Sequence, residues 1–146
     1  MYKRQILRWG VSNFDAGDMA ALAQAGCASN QVLYNPEARG IEFDLLPWCR
    51  EHAMPVMAYS PVGQGGALLR DPALQAVARR HGASTAQVAI AWSLRGGGVV
   101  SIPKASGLAH VAENAAAATL ALTAEDLGEI DRAFAPPDRK QRLEML

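Results

Sequence analysis

The chain has 146 residues with 14 basic and 14 acidic side chains, and hydrophobic residues make up 50% of it. That arithmetic fits an ordinary soluble globular domain and excludes a disordered acidic or basic tail. With zero formal charge and no Lys/Arg cluster, neither nucleic acid nor an anionic membrane is an expected partner.

Cys27 and Cys49 cannot build the disulfide framework of a small secreted domain, and no Cys/His spacing resembles a zinc site, so no metal is expected. No export signal and no apolar run of about 18 residues is visible, which makes the cytoplasm the expected location.

In chain order, Ile6 to Val11 reads as a short buried strand with Ser12-Asn13 as its exit loop. Asp15 or Asp18 then starts a helix with Met19, Leu22 and Ala23 on one face and Gly26 as its stop. Asn30 to Tyr34 is a second strand ending at the turn Asn35-Pro36. Ile41 to Ala53 is helical with its core beginning near Pro47, because proline is tolerated only in a first turn. Pro55 to Tyr59 is a third strand, and the loop from Ser60 to Gly66 holds residues that permit close ligand approach.

Asp71-Pro72 opens a helix with Leu74, Val77 and Ala78 on one face, stopping at His81-Gly82. Ser84 with Gln87 forms a capping box for the next helix, which runs to about Leu94 and breaks at Gly96-Gly97-Gly98. Val99 to Pro103 is the fourth strand, with Lys104 directly after it. A helix over Gly107 to Ala118 follows, then one opened by Thr123 and Asp126 that carries Leu127, Ile130 and Phe134. The tail is polar except for Leu143, Met145 and Leu146.

Continuous apolar strands, each followed by helix, imply parallel strands covered by helices. No Gly-x-Gly-x-x-Gly follows any strand, which weakens a Rossmann reading. The expected class is therefore α/β, with this chain covering about half of a barrel that normally needs about 250 residues.

Barrel sites are built at strand carboxyl ends. Here those ends carry Ser12 and Asn13, Gln31, Tyr59 and Ser60, and Lys104. A hydroxyl and amides can hydrogen-bond an amide-bearing ligand, and a tyrosine ring can stack on a flat heterocycle, a combination that suits nicotinamide. Lys104 beside the start of the Gly107 helix offers an anion site. Glu113 and Asn114 on that helix suit the exocyclic amine and ring nitrogen of an adenine.

Taken singly, each residue has a plainer role: Ser12-Asn13 as turn chemistry, Tyr59 as a core or rim aromatic, Lys104, Glu113 and Asn114 as solvated side chains. Their convergence on four successive strand ends favours the ligand. His52 and His81 fall at helix ends, where imidazole suits the dipole, whereas His110 is open to ligand contact. Cys27 and Cys49 read as small buried hydrophobes.

Trp9 to Phe14, Asn30 to Asn35, Met57 to Gly63, and Ser101 to Ala105 with Glu113-Asn114 resemble, in order, the signature motifs of the aldo/keto reductases. Pro136 to Leu146 is similar to bacterial members of the methylglyoxal reductase type. The resemblance implies half of a (β/α)8 TIM barrel, strands five to eight with their helices, from a protein that moves hydride from NADPH to a small aldehyde or ketone. It makes Ser12, Asn13 and Gln31 partners of the nicotinamide carboxamide and Tyr59 the stacked ring. Ser60, Val62 and Gln64 would lie along the pyrophosphate, Lys104 at the adenosine phosphates, and Glu113 and Asn114 at the adenine.

His110 stands where the family often has an arginine for the 2′-phosphate, so NADP(H) is the expected cofactor with NAD(H) as the alternative. The family's catalytic Asp, Tyr, Lys and His belong to strands one to four, which nothing in this chain matches, so no catalytic residue is assigned and the chain alone is expected to be inactive. Residues 1–5 do not resemble the family and are similar to a translated library adapter, with a short natural leader as the alternative; residues 6–146 are the expected domain. The rival readings are a non-catalytic module, one that binds dinucleotide weakly or pairs with another half-barrel, and a fragment with no function. Unpaired first and last strands also lead to an expectation of self-association.

Overall fold

The computed structural model describes residues 6–22 and 26–146, so the expected leader at 1–5 and Ala23 of the first helix face lie outside the described residues. Four strands, β1 (Val11–Ser12), β2 (Asn30–Leu33), β3 (Val56–Tyr59) and β4 (Val99–Ser101), pair in parallel in chain order. Between and after them come α1 (Ala16–Leu22), α2 (Leu45–Glu51), α3 (Pro72–His81), α4 (Thr85–Leu94), α5 (Leu108–Ala116) and α6 (Ala124–Ala133). Each strand lies beside the next one in sequence, with no reversal of order, which is the pattern of a barrel wall rather than of a doubly wound sheet. The fold is half of a (β/α)8 barrel.

Local chemistry sets the helix boundaries. Asp15 and Asp18 accept each other's backbone N–H at 2.9 and 3.1 Å just where α1 begins. Asp71 accepts from the Ala73 and Leu74 N–H groups ahead of Pro72, and α3 ends on Gly82 at φ 58°. Complete capping boxes, Ser84 with Gln87 and Thr123 with Asp126, open α4 and α6. Each such cap is worth about 1 kcal/mol.

The two faces of the sheet differ. Val32, Val56 and Ala58 point to the helices and are fully buried with Leu45, Leu74, Val77, Val88, Trp92 and Ile130. The alternate positions form the concave face: Ser12 pairs with Gln31, Gln31 with Met57, and Met57 with Val100. Gln31 and Met57 are half-buried there, and Val100 is 48% exposed.

Several boundaries depart from the expected ones, among them the fourth strand, which ends at Ser101 rather than Pro103. Ile6 to Gly10 is not a buried strand; Ile6 and Leu7 are exposed, and ladder pairing starts only at Val11 opposite Asn30. The cause is position, since β1 is an edge strand with a neighbour on one side only. The helix expected from Ile41 is divided into a 3-10 turn at Gly40–Glu42 and α2 from Leu45, which still leaves Pro47 in a first turn. The helix after Lys104 ends at Ala116 and tightens into a 3-10 turn at Ala117–Thr119.

Two polar clusters tie the outer elements together. Arg39, almost fully buried, pairs with Glu42 and Asp131 and donates to the Phe134 carbonyl at the end of α6. Arg95 lies 3.7 Å over the Trp92 ring, bonds Glu42 at 2.6 Å and donates to the Tyr34 hydroxyl at 2.7 Å. In the second cluster, the buried Asp126 carboxylate accepts from His81, Arg80 and Thr123. Burial disfavours its charge, but hydrogen bonds from His81, the Thr123 backbone and Arg80 outweigh that and hold its carboxyl far below the ordinary value of 3.8.

A depressed folded-state pKa contributes stability that is complete above the unfolded value and lost as pH falls toward the folded one. Thermal unfolding should therefore show stability falling once pH drops below about the ordinary Asp range, and Asp126→Asn should flatten that part of the profile. An unchanged acid limb in Asp126→Asn would contradict the assignment.

Candidate functional site

Parallel pairing brings all four strand carboxyl ends to one side of the wall. At the first two ends, Ser12 Oγ donates to the Gln31 carbonyl at 3.0 Å, and the Asn13 N–H donates to the same carbonyl at 2.9 Å. Asn13 sits at φ 57°, and its side-chain Oδ1 is buried with no hydrogen-bond partner among the described residues. A buried acceptor left unpaired costs about 1–3 kcal/mol, so this atom is an open demand for a donor. Asn30, fully buried beneath it, holds the turn by donating to the Phe14 carbonyl at 2.8 Å.

One step along the wall, Tyr59 pairs in register with Leu33 on the concave face that also carries Gln31. The chain then enters the loop 60–66 through Ser60 at φ 48°, and Gln64 adopts φ 57°. Asn35 anchors this entry: its Nδ2 donates to the Ser60 carbonyl at 2.9 Å while its Oδ1 accepts from the Glu37 and Ala38 N–H groups. Gly63 is needed for space as well as for φ, because a Cβ there would lie 2.9 Å from Leu68 Cβ. The loop walls a cavity of about 510 Å³ lined by Ser60, Pro61, Val62, Gln64, Gly65, Ile102 and Lys104.

Backbone strain concentrates here. Among the described residues four non-glycine positions have left-handed φ, and three of them, Asn13, Ser60 and Gln64, are residues the sequence singles out for ligand contact. Strain of this kind costs about 1–3 kcal/mol per residue and persists where the surroundings impose it.

Lys104 stands exposed between β4 and α5, and α5 begins at Gly107 with no side chain capping its first N–H groups. On the exposed side of α5, His110 Nδ1 lies 3.4 Å from Glu113 Oε2. Asn114 is half-buried, and the Glu113 carbonyl accepts from Gln87 Nε2 at 3.2 Å, fixing α5 to α4. The structure thus groups Ser12, Asn13 and Gln31 at one end of the mouth, gathers Ser60, Val62, Gln64 and Lys104 around one cavity, and sets His110, Glu113 and Asn114 on the helix beyond.

The other histidines and the cysteines have structural surroundings. His52 ends α2 stacked on Trp48 at 3.9 Å, and His81 serves Asp126. Cys49 is buried, which pushes its thiol up to about 11, and Cys27 is half-buried. Asn30 and Asn35 hold the loop backbones at the mouth, whereas the sequence reading assigned them only to strand and turn; the Asn-Pro pair was the one visible signal for Asn35. Among the described residues no group of three or more His, Cys, Asp or Glu could hold a metal ion, and no helix is long and apolar enough to cross a membrane.

A family model described as the aldo/keto reductase family matches residues 5–135. The chain is 46% identical over 150 residues to methylglyoxal reductase YeaE of Escherichia coli (strain K12), covering 97% of this chain and 53% of that protein. Glyoxal reductase of Bacillus subtilis (strain 168) is 35% identical, with 84% and 44% covered. Among solved structures, an aldo-keto reductase from Klebsiella pneumoniae in complex with NADPH superposes with a TM-score of 0.92 at 47% identity, covering 95% of this chain and 52% of that one. The chain spans about half the length of the relatives it matches.

Asn35→Ala should remove one of the two donors to the Ser60 carbonyl and both side-chain bonds to the Glu37 and Ala38 N–H groups, of which Glu37 loses its partner, costing about 1–2 kcal/mol. Hydrogen exchange at the Gly63 amide, which donates to the Ser60 carbonyl, should accelerate more than exchange in α3. Equal acceleration in both would mean that Asn35 acts on global stability only.

Proposed function

The chain belongs to the aldo/keto reductase family, and from that premise we propose that residues 6–146 are the carboxyl-terminal half of an NADP-dependent member whose complete form reduces a small aldehyde or ketone. NADPH, when bound, supplies the hydride; the residues of this chain hold and orient it. The observation that carries the reading is the buried, unpartnered Asn13 Oδ1 beside Ser12 and Gln31 at the mouth. A carboxamide offers the N–H donor that this acceptor lacks, and the Gln31 side chain adds a donor and an acceptor.

The rest of the mouth suits the remainder of a dinucleotide. Tyr59 presents an aromatic ring for stacking on the pyridine. Ser60, Val62 and Gln64 line a cavity together with Lys104, which fits a pyrophosphate and the adenosine phosphates. Glu113 and Asn114 fit the adenine, and His110 fits the 2′-phosphate less well than a guanidinium would, because it lacks a bidentate fork. Discrimination against NAD(H) should be correspondingly weak. The named relatives, reductases of glyoxal and methylglyoxal, support a small aldehyde as the substrate class.

The proposal assigns no proton donor to this chain. Tyr34 is unsuited, since burial, outweighing the nearby Arg95 cation, pushes its phenol well above the ordinary range and its hydroxyl is engaged by Glu42 and Arg95. Tyr59 is committed to stacking. Lacking a positioned acid forfeits about 10²–10⁴-fold in rate, so the 146-residue chain should bind dinucleotide without reducing aldehydes. Residues 1–5 stand outside the proposed domain.

Titration of the chain with NADPH, followed by nicotinamide fluorescence, should saturate. Tyr59→Ala and Lys104→Ala should each weaken binding by about tenfold, corresponding to about 1.4 kcal/mol, while His110→Arg should raise the preference for NADPH over NADH. Methylglyoxal should not be consumed. Absence of saturation, or an affinity unchanged from the parent chain in both Tyr59→Ala and Lys104→Ala, would overturn the cofactor reading; turnover would overturn the proposed inactivity.

A further inference from the structure

The tail after α6 returns to the mouth. No backbone–backbone hydrogen bond among the described residues involves residues 135–146, so side chains hold this segment in place. Leu143 packs against the core cluster. Gln141 rests on Gly40, where a Cβ would lie 3.3 Å from its Oε1. The Lys140 ammonium reaches Asp44 at 3.1 Å and Asp15 at 3.7 Å.

Two separate elements grip that ammonium. Asp44 occupies the N-cap position of α2, where a carboxylate ordinarily accepts a backbone N–H, yet its side chain makes no capping bond. It faces Lys140 instead, and this contact, ahead of the one to Asp15, holds the ammonium above its ordinary pKa. Asp15 accepts the Asp18 N–H through Oδ1 and offers Oδ2 to Lys140. It follows the strained Asn13 by two residues, so the tail is tied to the turn after β1 and to the start of α2 at one point.

From that anchor the tail spans the mouth. A cavity of about 340 Å³ on one side is lined by Asn13 and Asp15 with Lys140, Arg142 and Met145. One of about 210 Å³ on the other is lined by Asn35, Ser60 and Gln64 with Glu144 and Leu146. The tail therefore touches the surroundings of all three strained mouth positions, and left-handed backbone persists where its surroundings impose it. We propose that Lys140 is a positioning residue for the cofactor: by latching the tail to Asp15 and Asp44, it keeps the Asn13 turn and the loop 60–66 in the conformations that bind dinucleotide. The inference rests on the dinucleotide reading of the mouth and adds the charge that holds its two ends together. Releasing the tail lowers the binding-competent fraction, and apparent affinity falls with that fraction. Lys140 is 56% exposed, so salt screens the latch.

NADPH titrations of the full 146-residue chain and its variants test the latch. Lys140→Met keeps the length of the side chain and removes its charge; it should weaken binding about threefold, the scale of a partly exposed ion pair, and Lys140→Arg should restore the parent affinity. The gap between the parent and Lys140→Met should close at about 0.5 M salt. Asp44→Asn separates the latch from a simple field effect. Removing a negative charge favours an anionic ligand through space, whereas loss of the latch weakens binding, and weakening is the expected result. In the unliganded chain Lys140→Met should accelerate exchange of the Asn13 and Gly65 N–H groups, which donate to the Gln31 and Val62 carbonyls, at an unchanged melting temperature. If the parent saturates, then parent-like affinity in Lys140→Met, tighter binding in Asp44→Asn, or unchanged exchange at Asn13 and Gly65 would each overturn the latch and leave the cofactor reading standing. A parent chain that never saturates would overturn the cofactor reading and the latch with it.

Discussion

Parallel pairing is the constraint on which everything else depends. Once consecutive strands run the same way, each must return through a crossover, and all four carboxyl ends must open on one side. Residues scattered from Ser12 to Lys104 then open on the same side of the wall. The register finishes the arrangement: Ser12 beside Gln31, and Tyr59 beside Leu33 one side-chain repeat further along. The grouping of the candidate residues here is largely a consequence of strand direction.

Direction alone does not make a precise site, because strand ends run into loops. Precision comes from buried amides that grip the loop backbones. Asn30 holds the turn after β1, and Asn35 holds the turn after β3 from a position 25 residues away in the chain. Both allow non-glycine residues to remain in left-handed conformations that would otherwise relax. The charged clusters play a different part: Arg39, Glu42 and Arg95 around Trp92 join α6 and α4 to the segment after β2, and Asp126 with Arg80 and His81 joins α6 to α3.

What was legible in the sequence was local. The Ser84-Gln87 and Thr123-Asp126 boxes, the Asp71-Pro72 start and the Gly82 stop each act within three or four residues, and the structure has all of them. The strand runs were legible as apolar segments, and Ser60, Val62, Gln64 and Lys104, all singled out from the sequence, line one cavity. Edge effects were not legible. Ile6 to Gly10 has the composition of a strand, yet pairing depends on a neighbour that the run itself cannot specify. The Arg39–Asp131 pair spans 92 residues, and nothing in the spacing of either residue signals the other.

The central claim is that the strand-end residues form one dinucleotide surface. Backbone amide chemical-shift mapping during titration with NADP⁺ tests it most directly. The account predicts perturbations grouped at Ser12, Asn13, Gln31, Tyr59, the loop to Gln64, and Lys104, with the opposite end of the barrel wall at Ala53 and Gly97 unaffected. Perturbations centred on that opposite end, or none at saturating nucleotide, would contradict it.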